Sequence, residues 1–163
     1  MKLAELNLDG VRQRLRQQGL ILRIGPFSFR LVSDLPGVAE GLYRLYADYP
    51  VLDGSSFVDH TVTLAPGRGW HRWLRRQAVF RYEGLEPFIP LPQSQAFALM
   101  EWSMNWCVSA HTFHYLLLHA AVVEREGCAA ILPAPPGSGK STLCAALMNR
   151  GWRLLSDELA LIS

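Results

Sequence analysis

The chain has 163 residues, half of them apolar, a formal net charge of +2 and three cysteines. That length and hydrophobic content suffice for a sizeable core, and the near-balanced charge gives no strong pull towards nucleic acid or an anionic membrane. Cys107, Cys128 and Cys144 are odd in number, widely spaced and set in apolar runs, which argues against a disulfide framework or a zinc site and predicts buried thiols in a reducing compartment. The first residues lack a basic-then-apolar leader pattern and no apolar run approaches bilayer length. The expectation is a cytoplasmic protein with no membrane and no nucleic-acid partner.

In chain order, residues 11–18 carry Arg12, Arg14 and Arg16 with only Val11 and Leu15 to bury, as in a short surface helix or a poorly ordered arm. Residues 20–24 and 27–32 are apolar runs joined by Gly25-Pro26, a hairpin or two successive strands. Asp34 can cap a helix with Pro36 in its first turn, and Val38, Leu42, Leu45 and Tyr49 recur at helical spacing up to Pro50. Over residues 57–65, Val58, His60, Val62 and Leu64 alternate with Asp59, Thr61 and Thr63, the pattern of a half-buried strand. His60 shares the apolar face and reads as a hydrogen-bonded core residue. Residues 69–82 interleave Trp70, His71, Arg72, Trp73, Arg75, Arg76 and Arg81. Such a run can stack on bases or receive an acidic partner, but in a chain not otherwise basic a solvated strand or loop with inward tryptophans is preferred. Residues 85–92, with three prolines, read as a linker.

Residues 93–112 predict a long helix with Phe97, Met100, Met104 and Cys107 on one stripe and Leu99, Trp102 and Trp106 on a second, so apolar that it must be buried on several sides. Residues 115–124 predict a strand containing His119, residues 125–127 a turn, and residues 128–132 a strand entering Ala134-Pro135-Pro136-Gly137-Ser138-Gly139-Lys140-Ser141-Thr142. This follows G-x-x-x-x-G-K-[ST], with Ala134 in place of the first glycine. A multiply charged phosphate needs backbone N–H groups crowded around it and a helix N-terminus aimed at it; Gly137 and Gly139 allow that approach. Lys140 suits β- and γ-phosphate oxygens, and the Ser141 hydroxyl suits Mg2+. Of the 16 basic residues only Lys2 and Lys140 are lysines, so a slim ammonium stands where a planar guanidinium fork would not fit. A helix over residues 141–150 is expected to bury Leu143, Ala146 and Leu147 and to stop at Gly151. A strand over residues 152–155 then leads to Ser156-Asp157-Glu158, acidic residues placed to hold Mg2+ and deprotonate a nucleophile.

His119, the loop from Ala134 to Ser141, and Arg150-Gly151-Trp152-Arg153-Leu154-Leu155-Ser156-Asp157-Glu158 together resemble blocks of the HPr kinase/phosphorylase family, and the stretch over residues 102–162 is most similar to its HprK-related kinase A branch. The resemblance implies an α/β fold: a P-loop, phosphoenolpyruvate carboxykinase-like nucleotide-binding core over residues 91–163, with an N-terminal α+β region over residues 1–90. It implies ATP and Mg2+ as cofactors. Ala134, Gly137, Ser138, Gly139, Lys140, Ser141 and Thr142 would bind nucleotide, and Ser141, Asp157 and Glu158 would hold the metal. Asp157 would serve as base, Lys140 would bind phosphate, and His119 would orient Asp157 or a phosphate. Glu158 stands where the family has a second Asp. The family pattern also continues with further strands and a later acidic and arginine-bearing segment, so the core is expected to be incomplete at Ser163, with an unpaired sheet edge that invites homo-oligomers or partner addition.

The activity so implied is an ATP-dependent serine/threonine protein kinase that passes the γ-phosphoryl group to a partner protein, for which a small PqqD-like peptide-binding protein is a candidate. Two alternatives stay open on the residues alone: a nucleotide-binding module that recruits a partner without transfer, and simple NTP hydrolysis.

Overall fold

The apolar runs at Leu20–Ile24 (β1) and Phe27–Ser33 (β2) form an antiparallel hairpin turned by Gly25-Pro26. The structure is a computed structural model and describes residues 1–68, 75–135 and 137–162. Trp70, His71, Arg72 and Trp73, singled out above, lie outside the described residues, as does Pro136. The chain is mixed α/β, with two sheets and four helices among the described residues. It divides into two compact units, Met1–Cys107 and Val108–Ser163.

In the first unit, helix α1 is longer than its arginines suggested: it runs Leu8–Gln17, because Asn7 caps it by accepting from the Gly10 N–H at 2.7 Å. Only Val11 and Leu15 of this helix are buried. Helix α2 (Val38–Leu45) crosses over from β2 to a parallel neighbour, β3 (His60–Pro66). Arg12 links the two helices by donating to Asp9 at 2.9 Å and Glu40 at 2.6 Å, and the Arg12 fork holds the Glu40 carboxyl below its ordinary range. The alternation expected for the third strand is present, with His60, Val62 and Leu64 buried and Thr61 exposed. His60 is enclosed by Phe27 and Phe29, ring centroids 5.9 and 5.5 Å away.

Strand β4 (Gln77–Arg81) pairs antiparallel with β3, and β5 (Leu91–Pro92) with β4, giving the order β1-β2-β3-β4-β5. The supposed linker over residues 85–92 therefore ends in an edge strand, short and closed by proline as edges usually are. At the other edge, residues 50–52 cover β1: the Arg23 N–H donates to the Pro50 carbonyl at 3.0 Å and the Leu52 N–H to the Ile21 carbonyl at 2.9 Å. Helix α3 (Ala96–His111) follows. Its stripe of Met100, Met104 and Cys107 is buried, whereas Trp102 is 51% exposed. Trp106 meets Phe80, Tyr82 and Phe88 edge-on. Burial pushes the Cys107 thiol up to about 12, so it remains an inert core group.

The second unit is a sheet built on one strand, β6 (Leu116–Arg125). Strand β7 (Cys128–Pro133) pairs antiparallel along one edge. Two short strands share the other edge, β8 (Arg153–Ser156) beside the end of β6 and β9 (Leu159–Ile162) beside its beginning. The last of these was not predicted. Helix α4 (Lys140–Met148) packs over Ala121 and Val123 through Cys144 and Leu147. The expected burial of Leu143 and Ala146 does not occur: Leu143 is 49% exposed and Ala146 is exposed, because the four-stranded sheet offers this helix only one narrow apolar strip. Of the cysteines predicted to be buried, Cys128 is exposed at the start of β7. Among the described residues no helix is long and apolar enough to cross a membrane.

Candidate functional site

The site follows from the register of β6. Side chains of a strand alternate between faces, so His119 shares a face with Ala121 and Val123, the face that packs on Cys144 of α4. Ala120, Val122 and Ala160 form the cluster on the other face. Pro133, the last residue of β7, pairs with Ala120, so the chain leaves the sheet beside His119 and enters the glycine-rich loop. The same stretch meets the acidic residues on its other edge. Ser156 pairs with Val122 and Leu159 with His119, which leaves Asp157 and Glu158 opposite Ala121 and Ala120. The Ala120 N–H donates to the Glu158 carbonyl at 3.2 Å, and the Leu159 N–H donates to the Ser156 hydroxyl at 3.2 Å. A bulge at Val122/Val123 lies just before this pair, a place where strands commonly re-aim side chains.

At the far end of the same edge Arg153 donates to Glu124 at 3.0 Å across paired strand positions. The Gly127 N–H and Arg153 together hold the Glu124 carboxyl below its ordinary range. This ion pair joins paired positions of β6 and β8.

In the loop, Gly137 and Gly139 have φ of 80° and 87°, a left-handed conformation that side chains disfavour. A Cβ at either position would meet nothing within 4 Å, so the requirement is conformational and not one of crowding. The Ser138 N–H donates to the Pro135 carbonyl at 3.3 Å, and the Leu143 N–H to the Gly139 carbonyl at 2.9 Å. The latter is a first-turn helical bond, so the N–H groups of Lys140, Ser141 and Thr142 stand at the helix N-terminus, where anions are commonly bound. The helix ends as expected, with Gly151 at φ 86°.

His119, Gly137, Gly139, Lys140, Ser141, Thr142, Asp157 and Glu158 line one open cavity of about 430 Å3. Pro135, which the motif did not single out, joins them. Ala134 and Ser138 stand outside its lining, the first half-buried at the end of β7 and the second exposed. Lys140 Nζ lies 3.0 Å from His119 Nε2. Only the fold makes this neighbourhood visible, since it depends on which face of β6 carries His119.

The cavity has one ammonium, two hydroxyls and two carboxylates at its wall. Mg2+ prefers oxygen ligands and commonly binds through one or two carboxylates plus substrate phosphate. Ser141, Asp157 and Glu158 supply that donor set. Among the described residues no group of three or more His, Cys, Asp or Glu is placed to hold a metal ion by itself.

Among families of known proteins, the model of SynChlorMet cassette protein ScmC matches residues 86–163. The similarity takes in the whole glycine-rich loop and the acidic pair and leaves β1 to β4 outside it. Comparisons with curated proteins and with solved structures give no match.

Proposed function

We propose that this chain is an ATP-dependent serine/threonine protein kinase of HPr-kinase type, with a P-loop, phosphoenolpyruvate carboxykinase-like core, that transfers the γ-phosphoryl group to a partner protein. The observation that carries the reading is the convergence of Lys140, Ser141, Asp157 and Glu158, from two separate segments, on one cavity at the end of β7. The cytoplasm is its proposed location, and a small PqqD-like peptide-binding protein its proposed acceptor.

The roles follow from chemistry. The N–H groups at the start of α4 and the Lys140 ammonium bind and orient the triphosphate and offset charge on its oxygens. Ser141, Asp157 and Glu158 would hold Mg2+, which supplies further charge neutralisation between the phosphates when bound. Asp157, exposed at the cavity wall, takes the proton of the acceptor hydroxyl as that oxygen bonds to the γ-phosphorus. The bond to the β–γ bridging oxygen breaks, and ADP leaves with that electron pair.

Calorimetric titration of the chain with Mg2+-ATP, alongside Lys140→Ala, is the test. Saturable binding lost in the variant is the expected result; a folded chain that binds nothing overturns the proposal. Transfer of label from γ-phosphate-labelled ATP to a partner then separates a kinase from a module that holds nucleotide without using it, and free labelled phosphate without an acceptor would mark a hydrolase.

A further inference from the structure

His119 and Lys140 come from different elements, the middle strand of the sheet and the first residue of α4, yet their nitrogens lie 3.0 Å apart. A lysine ammonium has three donors and no acceptor. In this contact His119 Nε2 is therefore the acceptor, and the ring proton sits on Nδ1. One N–H of Lys140 is used on the ring, which leaves two for phosphate oxygens. A lysine stem carries rotamer entropy that must be surrendered when its ammonium is fixed on a ligand. His119 is better placed to absorb that loss in advance than a loop residue, because it stands in β6, paired with Leu159 of β9, next to Ala120 and Ala121, both fully buried. Sites held on rigid elements keep their geometry more closely than sites held on loops.

From this geometry we infer that His119 is a positioning residue for Lys140: it holds the ammonium ready on the β6 side of the cavity, where a triphosphate finds it already ordered. The inference rests on the kinase reading for its purpose, and it replaces the expectation that His119 orients Asp157 or a phosphate.

Long-range 1H–15N correlation of the histidine rings at pH 8 tests the contact without any ligand. The expected result is an Nδ1-protonated tautomer for His119 in the wild-type chain that is lost in Lys140→Met. Titration with inorganic tripolyphosphate and with Mg2+-ATP tests the consequence. His119→Ala should weaken binding about three- to tenfold, and His119→Gln, whose amide oxygen can still accept from the ammonium, should recover most of that loss. Triphosphate binding with a His119 tautomer indifferent to Lys140, or unchanged affinity in His119→Ala, overturns the positioning role and leaves the kinase reading standing. A Lys140-dependent tautomer in a chain that binds no triphosphate overturns the kinase reading and, with it, the purpose assigned to the pair.

Discussion

The Ala120 N–H donates to the Glu158 carbonyl at 3.2 Å, so the middle strand holds the acidic pair by its main chain. Asp157 and Glu158 both line the cavity. Their substitution should alter chemistry without unfolding the chain. Asp157→Asn is expected to lower phosphoryl transfer by about 10^2- to 10^4-fold, the usual contribution of a positioned base, while calorimetry shows Mg2+-ATP still bound. If Asp157→Asn transferred label at the wild-type rate, the base would have to be sought elsewhere.

Lys140 is the site's only ammonium, and its neighbours suit a compact head. In Lys140→Arg the planar guanidinium keeps the charge but cannot occupy the same point beside His119 Nε2. Affinity for Mg2+-ATP should fall at least about tenfold, a loss of about 1.4 kcal/mol, with the circular dichroism spectrum unchanged. Retained affinity would show that charge alone is read here.

Gly41 in α2 lies against the Phe97 ring, and a Cβ added there would overlap it. Overpacking of this kind costs about 1–3 kcal/mol, against about 1 kcal/mol gained from replacing a mid-helix glycine by alanine. Gly41→Ala should therefore lower the unfolding free energy by a net of about 1 kcal/mol, seen as a lower urea midpoint. Adding Phe97→Ala to it should cost less than the two single changes summed, a coupling that a double-mutant cycle reads directly.

Asp59 ties β3 to β2. Its carboxylate accepts from the Ser28 N–H at 2.7 Å and the Ser28 hydroxyl at 2.6 Å. Burial pushes its pKa upwards, but the Ser28 donors and the adjacent His60 outweigh it, and the net shift is downwards. A depressed native value means that the contribution is present above the ordinary aspartate range, near pH 4, and is lost as pH falls below it through the native value. Urea unfolding at pH 7 and at pH 3 should show a larger drop for wild type than for Asp59→Asn. Equal drops would assign the acid sensitivity to other groups.

Much of the site was legible because its chemistry is local. A glycine-rich loop between an apolar run and a helix needs no knowledge of the rest of the chain, and Lys140, Ser141 and Asp157 line one cavity. The pairing partners were not legible. Leu159-Ala160-Leu161-Ile162 is four apolar residues without alternation, and only the first half of β6 lying open beside it makes it a strand. For the same reason Pro92 reads as a linker residue until β4 is seen across from it. The outward turn of Leu143 and Ala146 was equally hidden, because the helical spacing of apolar residues says which side can be buried and not how wide a surface is offered to it.

The bend at Asp157 and Glu158, held between two strands that share one edge, works as a spacer of fixed count. Ser156 and Leu159 are three positions apart, as are their partners Val122 and His119. Inserting or deleting one residue between them would force β9 to slip along its neighbour and turn its side chains to the opposite face. The acidic pair thus tolerates changes of side chain far better than changes of length. Random mutagenesis of this chain should return many point variants at Asp157 and Glu158 that still fold, and very few frame-preserving insertions.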